Sequence, residues 1–396
     1  MNPLFKQDDR IYLDNAATSW PKPEGVYAAV DHYQRRLGAP AGRSAYREAV
    51  EVEQAVAAVR QALARLLSAD DARRIIFTFN GSDALNLAIH GVLAGGGHVV
   101  TSQLEHNSVL RPLRHLEQMG RVEVSRIACP GGGAIDPEAV RAALRTDTRL
   151  VVLTHASNVT GALQPVAEVA KAAHQHGALV LVDAAQTLGE LPLDVDQLGA
   201  DLLAAPGHKG LLGPLGSGLL YVRRGVEQHL APLKQGGTGS FSDLDEQPAV
   251  LPDRYESGNL NVPGILGLGA GIEWLQREGL EAVRRRQVEL TGRLMYGLAE
   301  IAGVGLYGPK SADERVGVVS ITLEGVEPGE LAAALDSAYR VQVRAGLHCA
   351  PGAHAALGTI DQGGTVRFSP GPFSTIDEID QAVAAVGQIA AATMVT

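Results

Sequence analysis

Between about residues 49 and 221, apolar positions fall into two kinds of block. Residues 50–67 carry apolar side chains at the three-and-four spacing of a helix that buries one face. "RIIFTF" is instead a short run of apolar and β-branched residues, the pattern of a strand covered on both faces. The two kinds then alternate. "NGSDALNLAIHGVL" predicts a helix, "GHVVTS" a strand, "SVLRPLRHLEQMG" a helix and "RVEVSRI" a strand. "DPEAVRAALR" has Asp136 and Pro137 where a helix starts. "RLVVLTHAS", "ALVLVDAA", "ADLLAAP" and "GSGLLYV" complete the strands, and "VAEVAKAAHQHG" is a helix ending on Gly177. Such alternation predicts an α/β fold with a mainly parallel sheet between layers of helices.

After Tyr221 the pattern changes. "KQGGTGSFSDLDEQPAVLPDR" has no periodicity and reads as a long functional loop or interface segment. "PGILGLGAGIEWLQREG" predicts a helix linking two lobes. Helices and short strands follow, including "GVVSITL" and "TVRFSP", as in a smaller α+β lobe. The expected division is residues 1–20 packing near the small lobe, 21–262 as the large domain and 263–396 as the small one. The length of 396 residues agrees, being too great for one ordinary core.

Composition narrows the function. The formal net charge of −10 argues against non-specific nucleic-acid binding. No apolar run approaches a membrane span, and the polar opening "MNPLFKQDDR" lacks a leader's apolar run. The two cysteines, Cys129 and Cys349, are far apart in sequence. A disulfide framework is not expected, and a reducing cytoplasm is. No metal site is assigned.

Chemistry concentrates where the strands end. In open parallel sheets ligands bind beyond the carboxyl ends of the strands. His155, Asn158, Asp183 and Gln186 sit at or just past such ends, as do Ser82 and His106. Any one of them could be a solvated loop residue; six together suggest the rim of a site. Lys209, in "APGHKGLLGPLGSG", has no other fixed charge nearby in sequence. Apolar surroundings favour a neutral, nucleophilic amine. A lysine that bonds the carbonyl of pyridoxal 5'-phosphate needs that neutral amine, a carboxylate for the pyridine nitrogen and a cradle for the phosphate. Asp183 can be the carboxylate. The start of the "GSDALNL" helix can be the cradle, with Gly81 admitting close approach, Ser82 offering a hydroxyl and the free N–H groups favouring an anion. Gly-Ser before a helix is also an ordinary cap.

"LDNAAT", "LEHNS", "SNVTG", "LVDAAQ", "GHKGLLGPLGSG", "GLHCAP" and "VRFSPG", in this order, resemble class V pyridoxal-phosphate enzymes of the cysteine desulfurase and selenocysteine lyase group. The resemblance covers nearly the whole chain. It implies fold type I, with a seven-stranded sheet in the large domain, and a homodimer with the site at its interface. It matches Lys209 to the lysine that bonds the cofactor, Asp183 to the pyridine-nitrogen partner and Gln186 to the donor at the ring hydroxyl. His106 matches the histidine against the ring face, and Ser82 and His208 match phosphate contacts. Asn158 and Arg367 match holders of the substrate carboxylate, Arg344 a second active-site arginine, and Ala17 and Arg43 lie in substrate-pocket motifs.

Cys349 discriminates among reactions. An isolated cysteine is commonly buried and inert. "RAGLHCAPGAH" has loop composition, with His348 adjacent and His354 near, and a neighbouring cation favours a thiolate nucleophile. A short R-x-G-x-H-C-A loop resembles the second desulfurase subgroup. Cys129, in "RIACPGGG", reads as a core residue. The sequence departs from the family at Pro206, where Ser or Thr is common, at Gly42-Arg43 in place of His-Arg, and at Asn259 in place of a Thr that reaches the phosphate across the dimer. Asn259 or Thr238 is the expected substitute. The expected activity is L-cysteine desulfuration to L-alanine, with Cys349 as nucleophile, His106 moving the thiol proton, and sulfur passed to an acceptor protein or small thiol. The rivals are action on L-selenocysteine, transamination or epimerisation with Cys349 incidental, and a non-catalytic sulfur-relay scaffold.

Overall fold

The computed structural model describes residues 10–393 except Arg43, Ser242 and Leu244. Seven strands form one sheet in the spatial order Ile75–Thr78, Gly218–Val222, Leu202–Pro206, Leu179–Asp183, Thr148–Thr154, Gly97–Ser102 and Val122–Ile127. Every neighbouring pair is parallel except the two made by Gly218–Val222. The runs apolar throughout are explained by the pleat, which sends alternate residues to opposite faces. Val151 and Leu153 join the core on one face, with the helices Arg47–Leu66, Val166–Gln175 and Val262–Glu278. Leu150 and Val152 join the core on the other, with Gly81–Val92 and Asn107–Gln118.

The order of strands places a switch point. From Gly97–Ser102 the chain moves outward to Val122–Ile127, then returns to the far side as Thr148–Thr154. The crevice beyond those two strands is where such a sheet takes a ligand. The helices around it have local starts. Asn80 accepts from the Asp83 N–H at 2.9 Å and opens Gly81–Val92. Asp136 likewise caps Pro137–Ala143.

A second layer stands on one end of the large lobe. Its antiparallel sheet has the order Arg344–Gly346, Thr365–Phe368, Val319–Leu323, Val304–Tyr307, backed by Leu280–Ala299, Pro328–Tyr339 and Ile376–Thr393. Ile11 and Leu13 are buried in its core, and Ile11–Tyr12 pairs parallel with Val341–Gln342. The expected boundary at residue 263 falls inside the helix Val262–Glu278, whose Ile265, Leu268, Ile272 and Leu275 belong to the large core. The next helix, Leu280–Ala299, packs on both cores, with Val283 in the large one and Leu290, Leu294 and Leu298 in the small one. Residues 229–261 contain no helix or strand among those described. No described helix is long and apolar enough to cross a membrane.

Candidate active site

A cleft of about 810 Å³ opens between the two lobes at the strand ends. Its walls include Gly81, Ser82, His106, Asn158, Asp183 and Gln186 from the large lobe, then His208 and Lys209 from the turn after Leu202–Pro206. Ala17, Arg344, His348 and Arg367 close it from the other side. Eleven expected site residues thus meet in one place, though they span residues 17 to 367.

Burial sets the electrostatics. Lys209 is half-buried and faces the cleft. Burial pushes its amine from 10.5 down to about 8, partly opposed by the Asp183 charge. Asp183 is buried at the end of Leu179–Asp183, and burial raises its proton affinity, against an N–H bond from Ala185 and the Lys209 charge. The Lys209 turn is held from the N-terminal segment. The Ser19 hydroxyl donates to the carbonyls of His208 and Lys209, and Lys22 Nζ donates to the same His208 carbonyl at 3.0 Å. Lys22 is a residue no motif singled out. Its only signal was a lysine near "LDNAAT".

His106 caps the helix Asn107–Gln118: its Nδ1 accepts from the Ser108 N–H at 3.0 Å. Burial and the Lys209 and Arg344 cations push its affinity down to about 4, so the ring is neutral and Nε2 carries the hydrogen. The ring therefore turns an N–H, rather than a lone pair, toward the cleft. Glu105, the preceding residue, is wholly buried; its Oε1 accepts from Ser102 and Thr154. Burial raises it to about 8, so it is a neutral acid at pH 7. Glu190, behind the Lys209 turn, is raised to about 7 for the same reason.

The cleft fits a ligand with anionic ends. His208 Nδ1 and Arg367 Nε are buried polar atoms without protein partners. Gly81 brings the helix start against the Lys209 turn: a Cβ there would lie 3.1 Å from Pro206 Cδ. Ser82 Oγ meets Ser108 Oγ at 2.5 Å, so Ser108 adds a hydroxyl where Pro206 lacks one. On the opposite wall Arg367 is 1% exposed. It donates to the Asn158 carbonyl at 3.1 Å and pairs with Asp14 at 2.8 Å.

Cys349 sits in a strained loop just after the cleft-lining residues Arg344 and His348. His348 and Cys349 have φ of 47° and 59°, left-handed backbone that costs a non-glycine residue about 1 kcal/mol or more each. The loop is tied down by Asn158 Nδ2 to the His348 carbonyl at 2.6 Å and by the Asn107 N–H to the Cys349 carbonyl at 2.7 Å. The cation beside the thiol is Arg344, whose Nη2 lies 3.6 Å from Sγ. The expected histidine cations are absent from this role. His348 bonds Thr365 and burial pushes it to about 2; His354 bonds Thr359 and lies at about 4. Cys349 is half-buried; Cys129 is buried, and burial raises its thiol to about 11.

Besides Cys349, three expected residues do not line the cleft. His155 is a core histidine on Thr187. Thr238 bonds Ser240 in the long loop. Asn259 lines a separate cavity with Phe79, Asp83 and Lys234, beyond the start of Gly81–Val92. Arg43 lies outside the described residues.

A mainly parallel α/β sheet whose strand ends gather a half-buried lysine, a carboxylate and anion-binding donors, with a half-buried thiol on a loop beside them, has the parts of an enzyme for small anionic substrates. The comparisons place it more closely. The model of the family "Aminotransferase class-V" matches residues 11–382. A probable cysteine desulfurase of Methanothermobacter thermautotrophicus is 37% identical over 95% of this chain and 93% of the relative. One from Halalkalibacterium halodurans is 34% identical over 93% of this chain and 90% of its own. The apo structure of cysteine desulfurase from Thermococcus onnurineus NA1 superposes with a TM-score of 0.89 at 32% identity, covering 97% of this chain and 95% of that one. That of the cysteine desulfurase CsdA of Escherichia coli gives 0.86 at 28% identity, covering 98% and 96%. The chain belongs to the class-V aminotransferase family, in its cysteine desulfurase branch.

Proposed function

We propose that this chain uses pyridoxal 5'-phosphate to remove sulfur from L-cysteine, giving L-alanine and a persulfide on Cys349. When bound, the cofactor supplies an electron sink that lets bonds at the substrate Cα and Cβ break. The donor set suits it. Lys209 would hold its carbonyl carbon, Asp183 its pyridine nitrogen, Gln186 its hydroxyl and His106 its ring face. Gly81, Ser82 and His208 would take the phosphate, with Ser108 beside them.

The protein groups divide the remaining work. Arg367 and Asn158 bind the substrate carboxylate, and Ala17 borders it. Lys209, held near neutrality by burial, takes the Cα proton. The Cys349 thiolate then bonds to the substrate sulfur as the Cβ–S bond breaks. The electron pair stays with carbon, which gains protons to become alanine, and the sulfur remains as Cys349–S–SH. Arg344 holds negative charge at the thiol. The persulfide sulfur passes to an acceptor protein or small thiol. Thr238 and Asn259 do not line the cleft of their own chain; the reading includes a homodimer, in which one of them would reach the phosphate from the second copy, and a cytoplasmic setting.

The placement of Cys349 carries this reading: it is a half-buried thiol on a left-handed loop, 3.6 Å from an arginine that lines the Lys209 cleft. Cys349→Ala should keep the yellow colour of bound cofactor and stop both sulfide and alanine production from L-cysteine. Full cysteine turnover in that variant would remove the thiol from the mechanism.

A further inference from the structure

The turn at residues 157–161 carries Asn158, and three successive carbonyls of it are gripped by the small lobe. Arg367 Nη1 donates to the carbonyl of Asn158 at 3.1 Å, Ser320 Oγ to that of Val159 at 2.6 Å, and Arg315 Nη2 to that of Thr160 at 2.6 Å. Arg315 is the unusual member. It is 0% exposed, faces no carboxylate within ion-pair distance among the described residues, and spends its other donors on Tyr307 O and Pro309 O, both at 2.9 Å, and on Met295 Sδ at 3.4 Å. A buried guanidinium is costly unless its N–H groups are matched. Here carbonyls from both lobes match most of them.

The backbone is shaped for this grip. Gly161 has φ of 73°, and a Cβ on it would lie 3.2 Å from Arg315 Nε. A Cβ on Gly308 would collide with the Thr160 carbonyl and the guanidinium. Backbone bonds from Val316 to Gly161 and from Leu163 to Glu314 flank the contact. On its other side the same turn holds the cysteine loop, through Asn158 Nδ2 to the His348 carbonyl.

We propose that Arg315 is a positioning residue for Cys349, acting through the Thr160 carbonyl, the 157–161 turn and the Asn158 amide on His348. It touches neither substrate nor thiol. It fixes the turn whose side chain keeps His348 and Cys349 in left-handed backbone, a conformation the loop would leave if released. The role of Cys349 rests on the desulfurase reading; the mechanical link does not.

Hydrogen exchange followed by mass spectrometry on the whole purified protein tests the link, beside steady-state alanine production. In Arg315→Lys, exchange in segment 343–350 should be about tenfold faster, the weight of one charge-assisted hydrogen bond. In Ser320→Ala it should be about threefold faster, the weight of a neutral one. The core strands Leu179–Asp183 and Leu202–Pro206 should exchange as in the wild type, and kcat should fall in step with loop loosening. Ser320→Ala keeps the test open should the arginine variant not fold. Unchanged loop exchange relative to the core strands, or a loosened loop with wild-type kcat, overturns the proposal. A wild type that makes no alanine from cysteine would overturn the substrate reading instead, and the exchange data would still decide the link.

Discussion

Lys209 should load cofactor at a pH where an ordinary lysine cannot. The perturbation is pH itself. With its amine at about 8 instead of 10.5, about one Lys209 in ten is neutral at pH 7, against about one exposed lysine in 3,000. Nucleophilic addition to a carbonyl needs the neutral amine. Protein freed of cofactor would be mixed with pyridoxal phosphate across pH 6 to about 10.5, and the growth of the bound-cofactor absorbance timed. The same reaction with Nα-acetyl-lysine removes the titration of the reagent. The pH-dependent part of the protein-to-model rate ratio should fall from about 300-fold at pH 7 to about twofold at pH 10.5. Asp183 opposes the effect of burial, so Asp183→Asn should move the midpoint of the rise below that of the wild type. A ratio constant with pH, or a midpoint at the ordinary lysine value, would refute the claim that burial activates this amine.

Three further outcomes follow from single contacts. Arg344→Gln removes the cation beside Cys349 and should slow single-turnover persulfide formation about tenfold; a rise in KM with kcat intact would show that the arginine serves only the substrate. Gly81→Ala gains helix propensity but sets a Cβ 3.1 Å from Pro206 Cδ. Thermal stability should therefore change little, whereas affinity for pyridoxal phosphate should drop about tenfold as the helix start backs away. Glu105 is about 8 in the folded protein and 4.5 when unfolded, so the folded chain holds the extra proton between those values and loses stability as pH rises through them. Glu105→Gln should abolish that loss, on the order of a few kcal/mol at most, and melting curves at pH 5 and pH 9 would show it as a flatter dependence.

Features set by local pattern were legible in the sequence. Strands apolar throughout gave the parallel sheet, and polar residues just past their ends gave Asn158, Asp183 and Gln186. Lys209 stood out because its neighbours are small and apolar. The same reasoning included His155, which follows a strand as Asn158 does but turns into the core onto Thr187. Sequence position at a strand end does not fix which way a side chain points. What remained hidden depends on pairs far apart in the chain: Asp14 with Arg367, Lys22 with His208, and Arg315 with Thr160. The cysteine loop shows the limit most clearly. Its sequence places two histidines by the thiol, yet burial keeps both neutral, and Arg344, five residues away, turns its guanidinium to the sulfur because two antiparallel strands fold the loop back. The long loop after Gly218–Val222 had no periodicity, and its described residues have neither helix nor strand.

The central claim is that Cys349 takes the sulfur atom. Protein given one equivalent of L-cysteine, with no acceptor present, would be quenched, digested and weighed peptide by peptide. The account predicts one added sulfur atom on the peptide carrying Cys349, one alanine formed with it, and no change on the peptide carrying buried Cys129. Alanine formed without sulfur on Cys349, or sulfur carried by Cys129, would contradict it.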